Sequence, residues 1–185
     1  MKNALLKLTA VFALILSVAA CSTDEATINN NEAAEEQETL LARGSFWQGQ
    51  LGVVNPDGSA TLTVNPTAVK ADLEAQLAAE NNATVIRTVG IQYKKNINDN
   101  TDGTYALIGS NSSGTSIGIL LTVRGSGLYL DGGSGSGSEG AGTSTTCRGC
   151  ATGCNLSFVR IQGQKVFYCN ENGCGEFCTK NESLF

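Results

Sequence analysis

Residues 104–130 read TYALIGSNSSGTSIGILLTVRGSGLYL and contain the clearest strand pattern in the chain. A strictly alternating apolar set, typical of a strand with one buried face, consists of Ile117, Ile119, Leu121 and Val123. Turn-forming residues at 111–114 separate this strand from a candidate strand at 104–110, and residues 128–130 predict a short edge strand. Gly109 and Gly118 indicate bulges or close approaches within the strands. The stretch therefore predicts an antiparallel meander.

A hairpin, a helix and a further strand are predicted before this meander. Asn55-Pro56-Asp57-Gly58 is a turn signal between two short apolar runs, because Pro fixes φ and Gly accepts positive φ. Asn65-Pro66 predicts the N-cap and first residue of a helix, and the apolar face of that helix is Val69, Leu73 and Leu77. Alternating residues of the next strand are Val85, Val89, Ile91 and Tyr93. Residues 44–130 thus predict an α+β domain, a small antiparallel sheet with one packed helix.

A cysteine cluster follows, after residues 131–146, whose Gly and Ser content predicts a flexible linker. Its spacing is C-x2-C-x3-C-x14-C-x4-C-x3-C, formed by Cys147, Cys150, Cys154, Cys169, Cys174 and Cys178. Residues 147–185 are too few to be held by apolar burial alone, so they require disulfide bonds or a metal. The predicted fold is therefore an α+β domain followed by a small Cys-rich hairpin module that disulfide bonds hold together.

The centre of the cluster predicts a β-hairpin with Gln162-Gly163 at its turn. We expect this hairpin to bring Cys154 and Cys169 roughly opposite each other, which makes that bond the first choice among the 15 pairings that six cysteines allow. The pairing of Cys147 and Cys150 with Cys174 and Cys178 stays open.

The N-terminus has the layout of an export signal. Lys2 and Lys7 precede an uncharged run that ends in Val18-Ala19-Ala20-Cys21. This run resembles the lipobox of bacterial lipoproteins. The resemblance implies that residues 1–20 are a signal peptide, that Cys21 carries the fatty acyl groups and becomes the N-terminus, and that the protein is anchored in the cell envelope, with Ser22 compatible with the outer membrane. Residues 21–43 are acidic and predict a tether.

Cysteine parity agrees with a lipidated Cys21, since seven cysteines minus one leave an even six. An exported chain meets an oxidising compartment, which favours three disulfide bonds. Two alternatives remain. Cys147 and Cys150 could act as a thiol–disulfide redox pair with Arg148 lowering a thiolate pKa, or the cluster could bind zinc through cysteine thiolates alone.

Composition narrows the function. The chain has no histidine, which removes imidazole acid–base chemistry and His-dependent nucleophile pairs, so we expect no enzyme, no catalytic residues and no cofactor. A net charge of -5 argues against nucleic acid. The sequence therefore predicts a non-enzymatic envelope lipoprotein that contacts the membrane through Cys21 and displays a disulfide-stapled module to an unidentified protein or glycan.

Overall fold

The computed structural model describes residues 45–132, 142–150, 154–171, 173–174 and 178–184, which all lie in one unit, Leu40–Phe185. They form a 3-10 turn at Ser45–Gln48, one α-helix and ten strands. These are β1 Gly52–Val54, β2 Ala60–Leu62, α1 Pro66–Ala79, β3 Thr88–Asn96, β4 Asp99–Ser110, β5 Thr115–Arg124, β6 Gly127–Leu130, β7 Thr143–Arg148, β8 Asn155–Ile161, β9 Gln164–Asn170 and β10 Thr179–Leu184.

All ten of these strands belong to one mixed sheet. Eight follow the order β2-β1-β6-β5-β4-β3-β8-β9. Strand β5 is the branch point, because one of its edges pairs with β4 while the other pairs with β7 at Thr115–Ile119 and with β6 at Leu121–Arg124. Strand β10 extends the β7 branch. Among the described strands, β3 and β8 form the one parallel pair, through Asn96 and Phe158.

The predicted fold class is wrong. The chain is mostly β, and its sheet of ten strands is far larger than a small antiparallel sheet with one packed helix. The prediction failed because β7 reads TSTTCR and β10 reads TKNESL, neither of which shows apolar alternation. Residues 143–146, assigned from sequence to the linker, are strand, and burial of Ser144, Thr145 and Thr146 comes from packing and not from hydrophobicity.

Helix α1 covers one face of the sheet. Asn65 is its N-cap, accepting a 2.9 Å hydrogen bond from the Thr67 N–H, and Pro66 opens the first turn, as predicted. The helix buries Val69, Leu73 and Leu77 in one cluster with sheet residues Leu107, Ile117, Ile119 and Leu121. A Cβ at Gly109 would lie 2.7 Å from Leu73 Cδ1, so the predicted close approach at this glycine is confirmed.

The β8–β9 hairpin covers the opposite face. Ala106 and Ile108, which alternate with Leu107 along β4, pack in a second cluster with hairpin residues Leu156, Phe158 and Phe167. A Cβ at Gly118 would lie 2.8 Å from Leu156 Cδ1, so this glycine also marks a close approach. The central strands therefore have a helix on one side and the cysteine-linked hairpin on the other.

Two local predictions need correction and one is confirmed. The β1–β2 hairpin forms around Gly58, whose φ is +81°. Strand β6 is not at an edge, because it pairs with both β1 and β5. Val85 precedes β3 and is 73% exposed, and Tyr93 on β3 is 47% exposed, so neither residue is buried on the face predicted for that strand.

Candidate functional site

The six cysteines of the C-terminal cluster form three disulfide bonds, as predicted. Cys147 bonds to Cys169, Cys150 to Cys174 and Cys154 to Cys178. Each cysteine of the first triplet thus pairs with the corresponding member of the second. Because the first triplet precedes β8 and the second begins in β9, all three bonds span the β8–β9 hairpin.

The predicted bond between Cys154 and Cys169 is wrong, and the hairpin register explains why. The turn at Gln162-Gly163 pairs Ile161 with Gln164, and counting outward from that pair places Leu156, not Cys154, opposite Cys169. Cys154 lies beyond β8 and its N–H donates to the Glu171 carbonyl. The partner of Cys169 comes from β7, a strand that the sequence did not reveal.

Strand β7 carries Cys147 into the interior. Its backbone lies between β5 and β10, with Cys147 paired to Ser116 on one side and to Lys180 on the other. Cys147 is fully buried, and its bond to Cys169 ties this branch of the sheet to the hairpin. The bond is therefore at the junction of the sheet and the hairpin that covers it.

Cys147 and Cys150 do not bond to each other. Each is bonded to a distant partner, and the Cys150 N–H donates a 3.0 Å hydrogen bond to Cys174 Sγ. Arg148 lies between them at the end of β7, where it lines a cleft with Thr115 and Thr179. This arrangement does not present the two sulfurs as one exchanging pair.

Three sulfurs from two different disulfide bonds lie close together. The Sγ atoms of Cys154, Cys169 and Cys178 are all within 4.8 Å of one another, although Cys169 is bonded to Cys147. Zinc requires cysteine thiolates, and sulfurs in disulfide bonds do not provide them. In the oxidised chain this group is a contact between two disulfides.

A polar cleft of about 500 Å³ lies beside the hairpin. Its lining includes Asp131, Arg160 and Lys165, together with the hydrogen-bonding side chains of Thr122, Thr143 and Gln164. Lys165 Nζ lies 2.7 Å from Asp131 Oδ2. No sequence pattern predicts this cleft, because its walls come from strands far apart in the chain.

The wall of the cleft is fixed by an ion pair between β4 and β8. Arg160 Nε and Nη2 donate to the two carboxylate oxygens of Asp102 at 2.8 and 3.0 Å, and Asn96 Nδ2 donates to the same carboxylate at 3.1 Å. These hydrogen bonds from Arg160 and Asn96 hold the pKa of Asp102 well below its usual range. The pair is bidentate, a geometry that orients both side chains.

Other predicted segments lie outside the described residues. They are the signal peptide at 1–20, the lipidation residue Cys21, the acidic tether at 21–43 and, from the predicted linker, residues 133–141. Within the part of the chain that the structure covers, no helix has the length and hydropathy needed to span a membrane.

The fold and the site define a mostly β protein in which three disulfide bonds connect the chain before the β8–β9 hairpin to the chain in and after β9. No family model matches this chain, and neither the curated proteins nor the solved structures contain a match to it.

Proposed function

We propose that this protein is a non-enzymatic lipoprotein of the bacterial cell envelope, anchored through a fatty-acylated Cys21. The anchor and the tether at 21–43 hold the disulfide-linked β domain at the membrane, where the domain contacts a protein or a glycan. The outer membrane is the proposed location, in accordance with Ser22 after the acylated cysteine.

The observation that carries this proposal is the complete pairing of the six C-terminal cysteines. Disulfide bonds persist in oxidising compartments and are rare in the cytosol, so three of them support an exported chain. They also leave Cys21 with no cysteine to pair with inside the chain, which suits its modification by lipid. Two or more acyl chains hold a protein durably on a membrane, whereas one chain binds it only marginally.

A binding role is supported by the polar cleft beside the hairpin. Ligand sites are typically concave and contain a few convergent polar groups held on a rigid scaffold. Here, Thr122 lies on β5, while Arg160 and Lys165 lie on the disulfide-linked hairpin. The absence of histidine from the sequence supports binding over acid–base catalysis.

The test of the anchor is Cys21→Ser in the full-length chain. Growth with a clickable fatty acid should label the wild-type protein in the outer-membrane fraction, and the variant should be unlabelled and leave that fraction. The matched control is the double variant Cys150→Ala/Cys174→Ala, which removes two other cysteines and should remain labelled. Equal labelling of Cys21→Ser and wild type, or no labelling of wild type, would contradict the proposal.

A further inference from the structure

The contact between two disulfide bonds has a chemical consequence that goes beyond the proposed function and does not depend on the lipid anchor. Thiol–disulfide exchange occurs when a thiolate attacks one sulfur of a disulfide and the other sulfur leaves. Cys169 Sγ belongs to one bond and lies within 4.8 Å of both sulfurs of the other bond, those of Cys154 and Cys178. A thiolate released from the second bond would already be beside a sulfur that it can attack.

We propose that Cys154, Cys169 and Cys178 form a thiol–disulfide exchange site whose substrate is an external thiol. The pair named from the sequence, Cys147 and Cys150, is not this site. Cys147 takes part as the leaving sulfur, and the Cys150–Cys174 bond is outside the exchanging set, since within the described residues the close sulfur group contains neither of its members.

Burial limits which sulfurs are open to the first step. Cys154 is 2% exposed and Cys147 is fully buried, whereas Cys178 and Cys169 are both partly buried. Cys169 lies within the paired strand β9, and Cys178 precedes the exposed start of β10, so in the proposed sequence an external thiolate attacks Cys178 Sγ first. It forms a mixed disulfide with Cys178, and the Cys154–Cys178 bond breaks with its electron pair remaining on Cys154 as a thiolate.

The second step is internal. The Cys154 thiolate attacks Cys169 Sγ, a Cys154–Cys169 bond forms, and the Cys147–Cys169 bond breaks with Cys147 leaving as a thiolate. That thiolate takes up the proton which the external thiol lost. The number of disulfide bonds that contain chain sulfurs is unchanged, so no further oxidant or reductant is needed.

The consequence is that a thiol bound at Cys178 changes the state of Cys147, a residue inside the sheet. Cys147 is on β7 between β5 and β10, and its bond to Cys169 links that branch covalently to the hairpin. A thiol that forms a disulfide with Cys178 near the surface would therefore cause the Cys147–Cys169 bond in the core to break.

Two single variants of the full-length chain test the internal step without any added thiol. Cys178→Ser leaves Cys154 free beside Cys169, and Cys174→Ser leaves Cys150 free outside the sulfur group. After acid quenching, alkylation and peptide mapping by mass spectrometry, we expect a Cys154–Cys169 peptide with alkylated Cys147 in the first variant. In the matched control, the alkylated residue should be Cys150, and Cys147–Cys169 should be intact.

We expect about tenfold or more labelling of Cys147 in Cys178→Ser relative to Cys174→Ser. The free Cys154 thiol lies beside Cys169 Sγ and so acts on it at an effective concentration of about millimolar or higher, whereas the free Cys150 thiol of the control lies outside this sulfur group. Retention of Cys147–Cys169 with alkylated Cys154 in the first variant would overturn the proposal.

A third measurement uses the wild-type chain, in case a variant does not fold. Reduced glutathione is added near the ordinary thiol pKa of about 8.5, and the products are trapped and mapped in the same way. We expect glutathione on Cys178, alkylation at Cys147 and an unchanged Cys150–Cys174 bond. Glutathione on Cys178 with alkylated Cys154 and an intact Cys147–Cys169 bond would reject the internal step, and exclusive attack on Cys150–Cys174 would reject the site.

Discussion

Gln162 has a backbone conformation that its side chain does not favour. Its φ is +50° and that of the following Gly163 is +82°, so both central residues of the β8–β9 turn have positive φ. Such turns suit the twist of a hairpin, and Asn-Gly is the preferred sequence for them. A glutamine in the left-handed region meets a steric penalty that asparagine escapes more readily. The flanking strand pairs therefore hold this turn in place.

Replacing Gln162 with Asn should stabilise the protein. Relief of the unfavourable φ should raise the free energy of unfolding by about 0.5–1 kcal/mol, measured by urea denaturation with the disulfides intact. The matched control is Gln164→Asn, the same chemical change two residues later on an exposed strand position, which should stay within about 0.5 kcal/mol of wild type. Equal effects at both positions would show that backbone conformation at Gln162 is not the cause.

The helix and hairpins that could be predicted from the sequence are those whose own residues form a recognisable cap or turn. The Asn65-Pro66 cap, the Asn55–Gly58 turn and the Gln162-Gly163 turn each fix the backbone through their own residues, so α1 and both hairpins were found. Strands β7 and β10 have no such signal. Strand β7 pairs with the edge of β5 and β10 pairs with β7, so their polar residues become paired or buried only through contacts with distant strands. The membership of the six cysteines in disulfides followed from their number and the export signal, but the pairing required β7.

The ion pair between β4 and β8 is a contact between two elements and gives a pH dependence. The pKa of Asp102 is lowered in the folded chain, first by the hydrogen bond from Arg160 and then by that from Asn96. A carboxyl group whose pKa is lower in the folded chain than in the unfolded chain stabilises the fold at pH values above the unfolded pKa of about 3.9. This stabilisation is lost as the pH falls below about 3.9 toward the folded pKa.

A double-mutant cycle with Asp102→Asn and Arg160→Gln should therefore show favourable coupling at neutral pH, measured as free energy of unfolding in urea. The coupling should shrink when the same cycle is repeated in acid below the unfolded pKa, and it should also fall at high salt, because both side chains are partly exposed. Coupling that is unchanged in acid would mean that a contact other than the ion pair links β4 to β8.

At the scale of the whole molecule, the two segments that the sequence suggests as separate modules contribute strands to one sheet. Strand β5 depends on β7 for the pairing of Thr115–Ile119 along one edge. The second apolar cluster takes Ala106 and Ile108 from β4, and Leu156 and Phe167 from the hairpin. Removing either segment would expose the apolar surface of the other, and exposed patches of this kind promote association and unfolding.

We expect a fragment ending at Gly132 to lose cooperative unfolding, as monitored by circular dichroism and by the dispersion of amide resonances. Mixing it with an oxidised fragment that begins at Gly142 should restore both signals, since that fragment supplies β7 and the hairpin. A cooperative transition of the first fragment alone, at the midpoint of the whole protein, would show instead that residues 44–130 fold independently.

The three disulfide bonds also determine how the protein responds to cleavage. Every one of them joins a cysteine before the Gln162-Gly163 turn to a cysteine after it. A protease that cuts the chain at this exposed turn would produce two polypeptides that migrate as one until a reductant separates them. If the chain is anchored through Cys21, the C-terminal polypeptide produced by this cleavage would remain on the cell, held only by the three disulfide bonds.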